Sequence, residues 1–120
     1  LNGEPGVYAA DWAGPDRDWN RAMRLVEEKL QARHVTTPDQ RRAEFVCTLC
    51  VLWPDGEERV FEGRANGHLV WPPRGTLGHG YDPMFVPLGS CQTFAEIDPA
   101  EKNKISHRAK ALEKLFRELF

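Results

Sequence analysis

At 120 residues, with 41% hydrophobic and 28% charged side chains, the chain has enough material for one modest core and is neither disordered nor fibrous in composition. A formal net charge of −2 gives no overall attraction to nucleic acid or to an anionic membrane. No apolar run approaches the roughly 20 residues of a membrane span, the first residues lack a leader pattern, and three cysteines without framework spacing do not suggest disulfides, so a cytoplasmic protein is expected.

The opening, LNGEPGVYAADWAG, starts on Leu1 in a turn-rich stretch with no earlier element to anchor it, which predicts a fragment of a longer domain. Residues 16 to 33 carry Trp19, Met23, Val26 and Leu30 at spacings of four, three and four, the stripe of an amphipathic helix, with Pro15 and Asp16 as its expected start. Asp16 and Asp18 read as helix-start chemistry, and Glu27 and Glu28 as a solvated helix face, so none of them is assigned to a metal.

Residues 43 to 53 are apolar at almost every position, which predicts a strand covered on both faces. Cys47 and Cys50 lie three apart on that strand, face opposite ways, and read as core residues instead of a zinc or redox pair. The turn signal at 54–57 returns residues 58 to 71 as an antiparallel hairpin partner, with Gly63 and Gly67 marking a bulge or bend. A Gly- and Pro-rich loop at 72–83 leads into a short strand, MFVP, and a second loop carries Cys91, which has no evident role. From Ser106, well placed as an N-cap, a final helix shows Leu112, Leu115, Phe116 and Leu119 as its anchoring face. Helix, three strands, helix suits an α/β or α+β domain, with strand directions left open.

Two segments concentrate chemistry. GHGYDP puts an imidazole, a phenol and a carboxylate on one glycine-rich loop, where Asp82 also suits a turn cap. EKNKISHRAK crowds Lys102, Lys104, Ser106, His107, Arg108 and Lys110 at a helix start. Lys104 and Lys110 read as solvated, but Arg108 in a first turn opposes the helix dipole unless an acceptor sits there. A 6-keto purine would use these groups: Arg and Lys donate to O6, the Asp82 carboxylate accepts a ring N–H, and a flat side chain stacks. Guanine shares the keto group, so its rejection needs another contact.

In that order along the chain, LNGEPGVYAADWAG at 1–14, GHGYDPMFVP at 78–87 and EKNKISHRAKAL at 101–112 closely resemble the Ham1 or inosine triphosphatase family, pyrophosphatases of deaminated purine nucleoside triphosphates. The resemblance covers essentially all of the sequence and implies one α/β domain fragment, residues 1–120, equivalent to the C-terminal three-fifths or so of a member. The implied fold has a mixed central sheet flanked by helices, without its N-terminal part. The implied reaction is hydrolysis of dITP, ITP and XTP to the monophosphate and pyrophosphate, a nucleotide-pool housecleaning step. Substrate contacts would come from His79, Gly80, Tyr81, Asp82, Lys102, Ser106, His107 and Arg108.

Catalytic acid groups and the ligands of the family's Mg²⁺ are expected upstream of Leu1, so the resemblance also implies that the chain alone releases no pyrophosphate. A homodimer is implied, with no nucleic-acid or membrane partner. Two positions depart from the family pattern: His79 stands where most members have phenylalanine, and Asp11 where they have arginine. The alternative reading is a non-catalytic module that binds purine nucleotides or serves dimerisation.

Overall fold

A computed structural model of the chain describes residues 1 and 3–119. These form two compact units, one comprising Leu1–Ala43 and Gly67–Ile97, the other Glu44–Asn66 and Asp98–Phe120. A three-stranded sheet has the order β1 (Arg42–Leu52), β2 (Glu58–Leu69), β3 (Phe85–Pro87). The helices are α1 (Trp19–Ala32), α2 (Pro99–Ile105) and α3 (His107–Leu119).

In the first unit the four-three-four stripe becomes the inner face of α1, with Met23, Val26 and Leu30 clustered on Met84. Each such buried side chain contributes about 1.5–3 kcal/mol relative to exposure. Leu1, Trp12, Val35, Leu69 and Tyr81 pack around this cluster. The helix begins later than expected: Asp18, not Pro15 or Asp16, is the N-cap, accepting from Arg21 N–H at 3.2 Å. Glu27 also departs from its expected place on a solvated face. It is 5% exposed and bonded to Arg41 and Gln31, because the stripe is wide enough to draw this position inward.

β2 and β3 pair antiparallel, Gly67 opposite Pro87, His68 opposite Val86 and Leu69 opposite Phe85. Gly67 is not at a bulge or bend: a Cβ there would lie 2.1 Å from Val86 O, so the residue is glycine because the neighbouring strand's backbone comes this close. Beyond β3, Phe85 and Phe94 meet with ring centroids 5.0 Å apart, both fully buried.

In the second unit, β1 alternates between half-buried and exposed residues instead of being covered on both faces. Glu44, Val46, Thr48, Cys50 and Leu52 share the exposed side, and the polar Glu44 and Thr48 among them are the cue that one face stays wet. The two cysteines do face opposite ways, but neither is a core residue: Cys47 is half-buried and Cys50 exposed. On β2, Phe61, Gly63 and Ala65 are buried. A Cβ on Gly63 would stand 2.1 Å from His107 O and 2.4 Å from Ala111 N, so its lack of a side chain lets α3 lie against the strand.

This contact also changes which residues anchor α3. Ala111 is fully buried, whereas Leu112 and Phe116 are 40% and 58% exposed. Leu115 and Leu119 of the expected face are half-buried, so part of that face is kept while the small Ala111 takes the closest contact.

Candidate functional site

The loop from Pro72 to Met84 belongs to the first unit and is fastened at several points. Arg74 N–H donates to Pro83 O at 2.7 Å, Thr93 Oγ1 donates to Arg74 O at 2.7 Å, and Leu77 N–H donates to Ala95 O at 2.9 Å. Within it, His79 N–H donates to Asp82 Oδ2 at 3.0 Å while Asp82 N–H donates to His79 O at 3.2 Å, closing a tight turn. Gly78 is required at its head: φ is +70°, and a Cβ would lie 2.3 Å from Asp82 Oδ2. Asp82, 6% exposed, is therefore the turn's cap. The turn leaves the His79 side chain exposed, and beyond Gly80 and its two chain neighbours no heavy atom lies within 4 Å of where a Gly80 Cβ would stand.

Tyr81 points the other way. Its hydroxyl donates to Ala9 O at 2.7 Å, and its ring meets Trp19 edge-on, with centroids 5.5 Å apart and an interplanar angle of 69°. Burial of the phenol pushes its pKa up to about 12.

The second unit carries the basic segment. The helix expected from Ser106 is preceded by a second, separate one: Lys102 and Lys104 lie on α2, with Asp98 as N-cap accepting from Ala100 N–H at 2.8 Å and Pro99 at the first position. The Asp-Pro pair was the available signal. Ser106 caps α3 as expected, its Oγ accepting from Ala109 N–H at 3.1 Å. His107 lays its ring against Phe45, centroids 5.2 Å apart. Arg108 is exposed, and among the described residues it makes no hydrogen bond or ion pair. The first turn of α3 contains no acidic residue. Lys104 and Lys110 are both exposed, Lys104 Nζ reaching Glu101 Oε1 at 3.3 Å, in keeping with a solvated role.

The expected contacts thus fall into two local constructions, His79, Gly80, Tyr81 and Asp82 in one unit and Lys102, Ser106, His107 and Arg108 in the other. Of the first group, His79 and Gly80 present an open surface, while Tyr81 and Asp82 are engaged in holding the loop. Of the second, Ser106 and His107 build the helix start and Arg108 projects from it. Among the described residues no group of three or more His, Cys, Asp or Glu side chains comes together, so they do not fit a Mg²⁺ site by themselves. No described helix is long and apolar enough to cross a membrane.

Comparison with known proteins places these features in a lineage. The sequence model of the Ham1 family matches residues 1–118. The chain is 57% identical over 122 residues to the dITP/XTP pyrophosphatase of Ruegeria pomeroyi, a match covering 100% of this chain and 59% of that protein. Its match to the dITP/XTP pyrophosphatase of Gluconobacter oxydans is 54% identical, covering 93% of this chain and 51% of that one. Among solved structures, a Ham1 protein of Coxiella burnetii superposes with a TM-score of 0.89 at 36% identity, over 99% of this chain and 60% of its own. The Staphylococcus aureus Ham1 protein gives 0.88 at 35% identity, over 99% and 59%. The α/β fold is shared with these structures, and the chain spans about half to three-fifths of the length of these relatives.

Proposed function

The chain belongs to the Ham1 family, and from that premise we propose that it serves the hydrolysis of dITP, ITP and XTP to the monophosphate and pyrophosphate by reading the purine base. The relatives' activity on dITP and XTP supports the reaction class. The observation that carries the base-reading role is Arg108, a guanidinium in the first turn of a Ser106-capped helix with no acceptor among the described residues. A cation placed there opposes the helix dipole, and a keto oxygen arriving at it would offset that cost.

In this reading Arg108 donates to the purine O6 and Lys102 adds positive charge from α2 of the same unit; in the first unit, taken by itself, the exposed His79 ring beside the open backbone of Gly80 is a flat surface suited to stacking. Adenine presents an amino donor where O6 would be, leaving Arg108 without an acceptor, and sites built on such pairs reject the wrong partner by orders of magnitude. Asp82 contributes by shaping the turn that presents His79. Ser106 and His107 contribute by fixing the start of α3.

Chemistry at phosphoryl centres of this kind draws on a divalent cation that neutralises phosphate charge. The described residues do not assemble a site for it, so no step is assigned to it and the hydrolytic groups are proposed to come from the remainder of the relatives' length. Assembly as a homodimer and action in the cytoplasm are part of the same proposal. Calorimetry with ITP and ATP tests it: the chain is expected to bind ITP in clear preference to ATP and, with Mg²⁺ and dITP, to release no pyrophosphate. Equal binding of the two nucleotides removes the base-reading role, and turnover matching a full-length relative overturns the division of labour.

A further inference from the structure

Tyr81 sits at a crossing of three elements of the first unit. Its backbone adjoins Gly80 in the loop that presents His79, its ring lies edge-on to Trp19 at the start of α1, and its hydroxyl donates to Ala9 O at 2.7 Å. Ala9 belongs to the segment of two short 3₁₀ turns, Gly6–Tyr8 and Asp11–Ala13. That segment is fastened at its base: Arg17 Nη1 donates to Ala10 O at 2.8 Å, Trp12 packs on the Met23, Val26, Leu30 and Met84 cluster, and Lys29 Nζ stands 5.2 Å from the Trp12 ring centre. Its tip is open, with Val7 92% and Tyr8 62% exposed. One phenol therefore links the backbone next to an exposed aromatic, Tyr8, to the backbone two residues from an exposed imidazole, His79.

We propose that Tyr81 is a positioning residue: through Ala9 O and Trp19 it joins the 78–82 loop to the 6–13 segment, so that the two move as one body. This rests on the nucleotide-binding role assigned above. The geometry favours it over a stacking role for Tyr81, because a phenol bonded to one segment and wedged against an indole of another has its orientation set by the fold. The His79–Asp82 hydrogen bonds close the turn locally, and the tether at residue 81 fixes that closed turn to the 6–13 segment. Trp19 acts on the loop through Tyr81, not through contact with substrate.

The test uses the 120-residue chain and the variants Tyr81→Phe, Trp19→Leu and the pair together, which keep apolar bulk in place. Amide hydrogen exchange reads the joint without nucleotide, and ITP affinity by calorimetry reads its use. Tyr81→Phe should speed exchange in both residues 8–13 and 78–82 and weaken ITP binding between about twofold and tenfold, the range of one lost hydrogen bond. Trp19→Leu should weaken binding in the same direction, and the double variant should lose less than the product of the two singles.

The proposal is overturned if Tyr81→Phe speeds exchange in only one segment or in neither. It is equally overturned if binding falls in Tyr81→Phe but is untouched in Trp19→Leu, which would make the phenol a direct nucleotide contact. If the parent chain does not bind ITP, the nucleotide-binding role fails separately. The exchange experiment then decides the joint alone, a concerted rise supporting it and an uncoupled one ending it.

Discussion

Arg41 and Glu27 form a two-point ion pair inside the first unit, Nη1 donating to Oε1 at 3.0 Å and Nη2 pairing with Oε2, with side chains 6% and 7% exposed. The guanidinium also donates from Nε to Leu69 O at 2.9 Å, and Glu27 Oε1 accepts from Gln31 Nε2 at 3.1 Å. α1 is thereby fastened to the end of β2. Removing one partner strands a buried charge, so Arg41→Met should lower stability by about 3–5 kcal/mol. Adding Glu27→Leu should restore most of that loss, since two apolar residues leave nothing unpaired. Urea unfolding of the three proteins at neutral pH checks both statements.

The same pair predicts an acid limb. Burial alone would push the Glu27 carboxyl up, but hydrogen bonds from Arg41 and Gln31 and the Arg41 charge outweigh it and hold the pKa below its ordinary 4.5. A depressed carboxylate stabilises the fold above its unfolded pKa and loses that contribution as pH falls through the folded one. The difference in urea midpoint between the parent and Glu27→Gln should therefore be full above about pH 5 and shrink as the pH falls below 4.5. A difference independent of pH would exclude the charge as its source.

Tyr81 predicts the opposite limb. Its pKa is raised by burial from 10.0 to about 12, so the fold favours the neutral phenol. That contribution is complete below pH 10 and lost as pH rises through about 12. Tyr81→Phe should lack this part of the alkaline loss of stability, and absorbance titration of the phenolate reads the shift directly.

Gly63 offers a packing test. Because a Cβ would meet the backbone at His107 O and Ala111 N, which cannot rotate aside, Gly63→Ala should force α3 off β2 and lower stability by about 1–3 kcal/mol. Ala65→Gly nearby, which adds no atom, should cost only about 1 kcal/mol of backbone freedom and local packing, so the comparison separates overpacking from strand propensity.

Elements with a clean period were legible in the sequence, and residues placed by tertiary contact were not. The stripe of Trp19, Met23, Val26 and Leu30 marks α1, and the turn at 54–57 marks the hairpin, since both depend on local spacing. Glu27 looks solvated until Arg41, remote in sequence, comes to it. Gly63 and Gly67 read as bends because a missing side chain looks the same whether the chain kinks or a neighbour's backbone presses close. Leu112 and Phe116 follow helical spacing, but Ala111 takes the contact. In the candidate site, Ser106 was legible as a cap and Asp82 as a turn residue. The engagement of Tyr81 with Ala9 and Trp19 carries no sequence pattern, because it joins residues far apart through one hydroxyl and one ring edge.

The keto-purine reading turns most directly on Arg108, which is exposed and bears no structural bond among the described residues. Calorimetric titration of ITP and ATP into the parent and Arg108→Ala, with melting temperatures in parallel, isolates its role. The account predicts that Arg108→Ala leaves the melting temperature nearly unchanged and weakens ITP binding by about 10- to 150-fold, the 1.5–3 kcal/mol of a hydrogen bond to a charged group, while ATP binding hardly changes. Equal ITP affinity in variant and parent would contradict it and return Arg108 to an ordinary solvated residue.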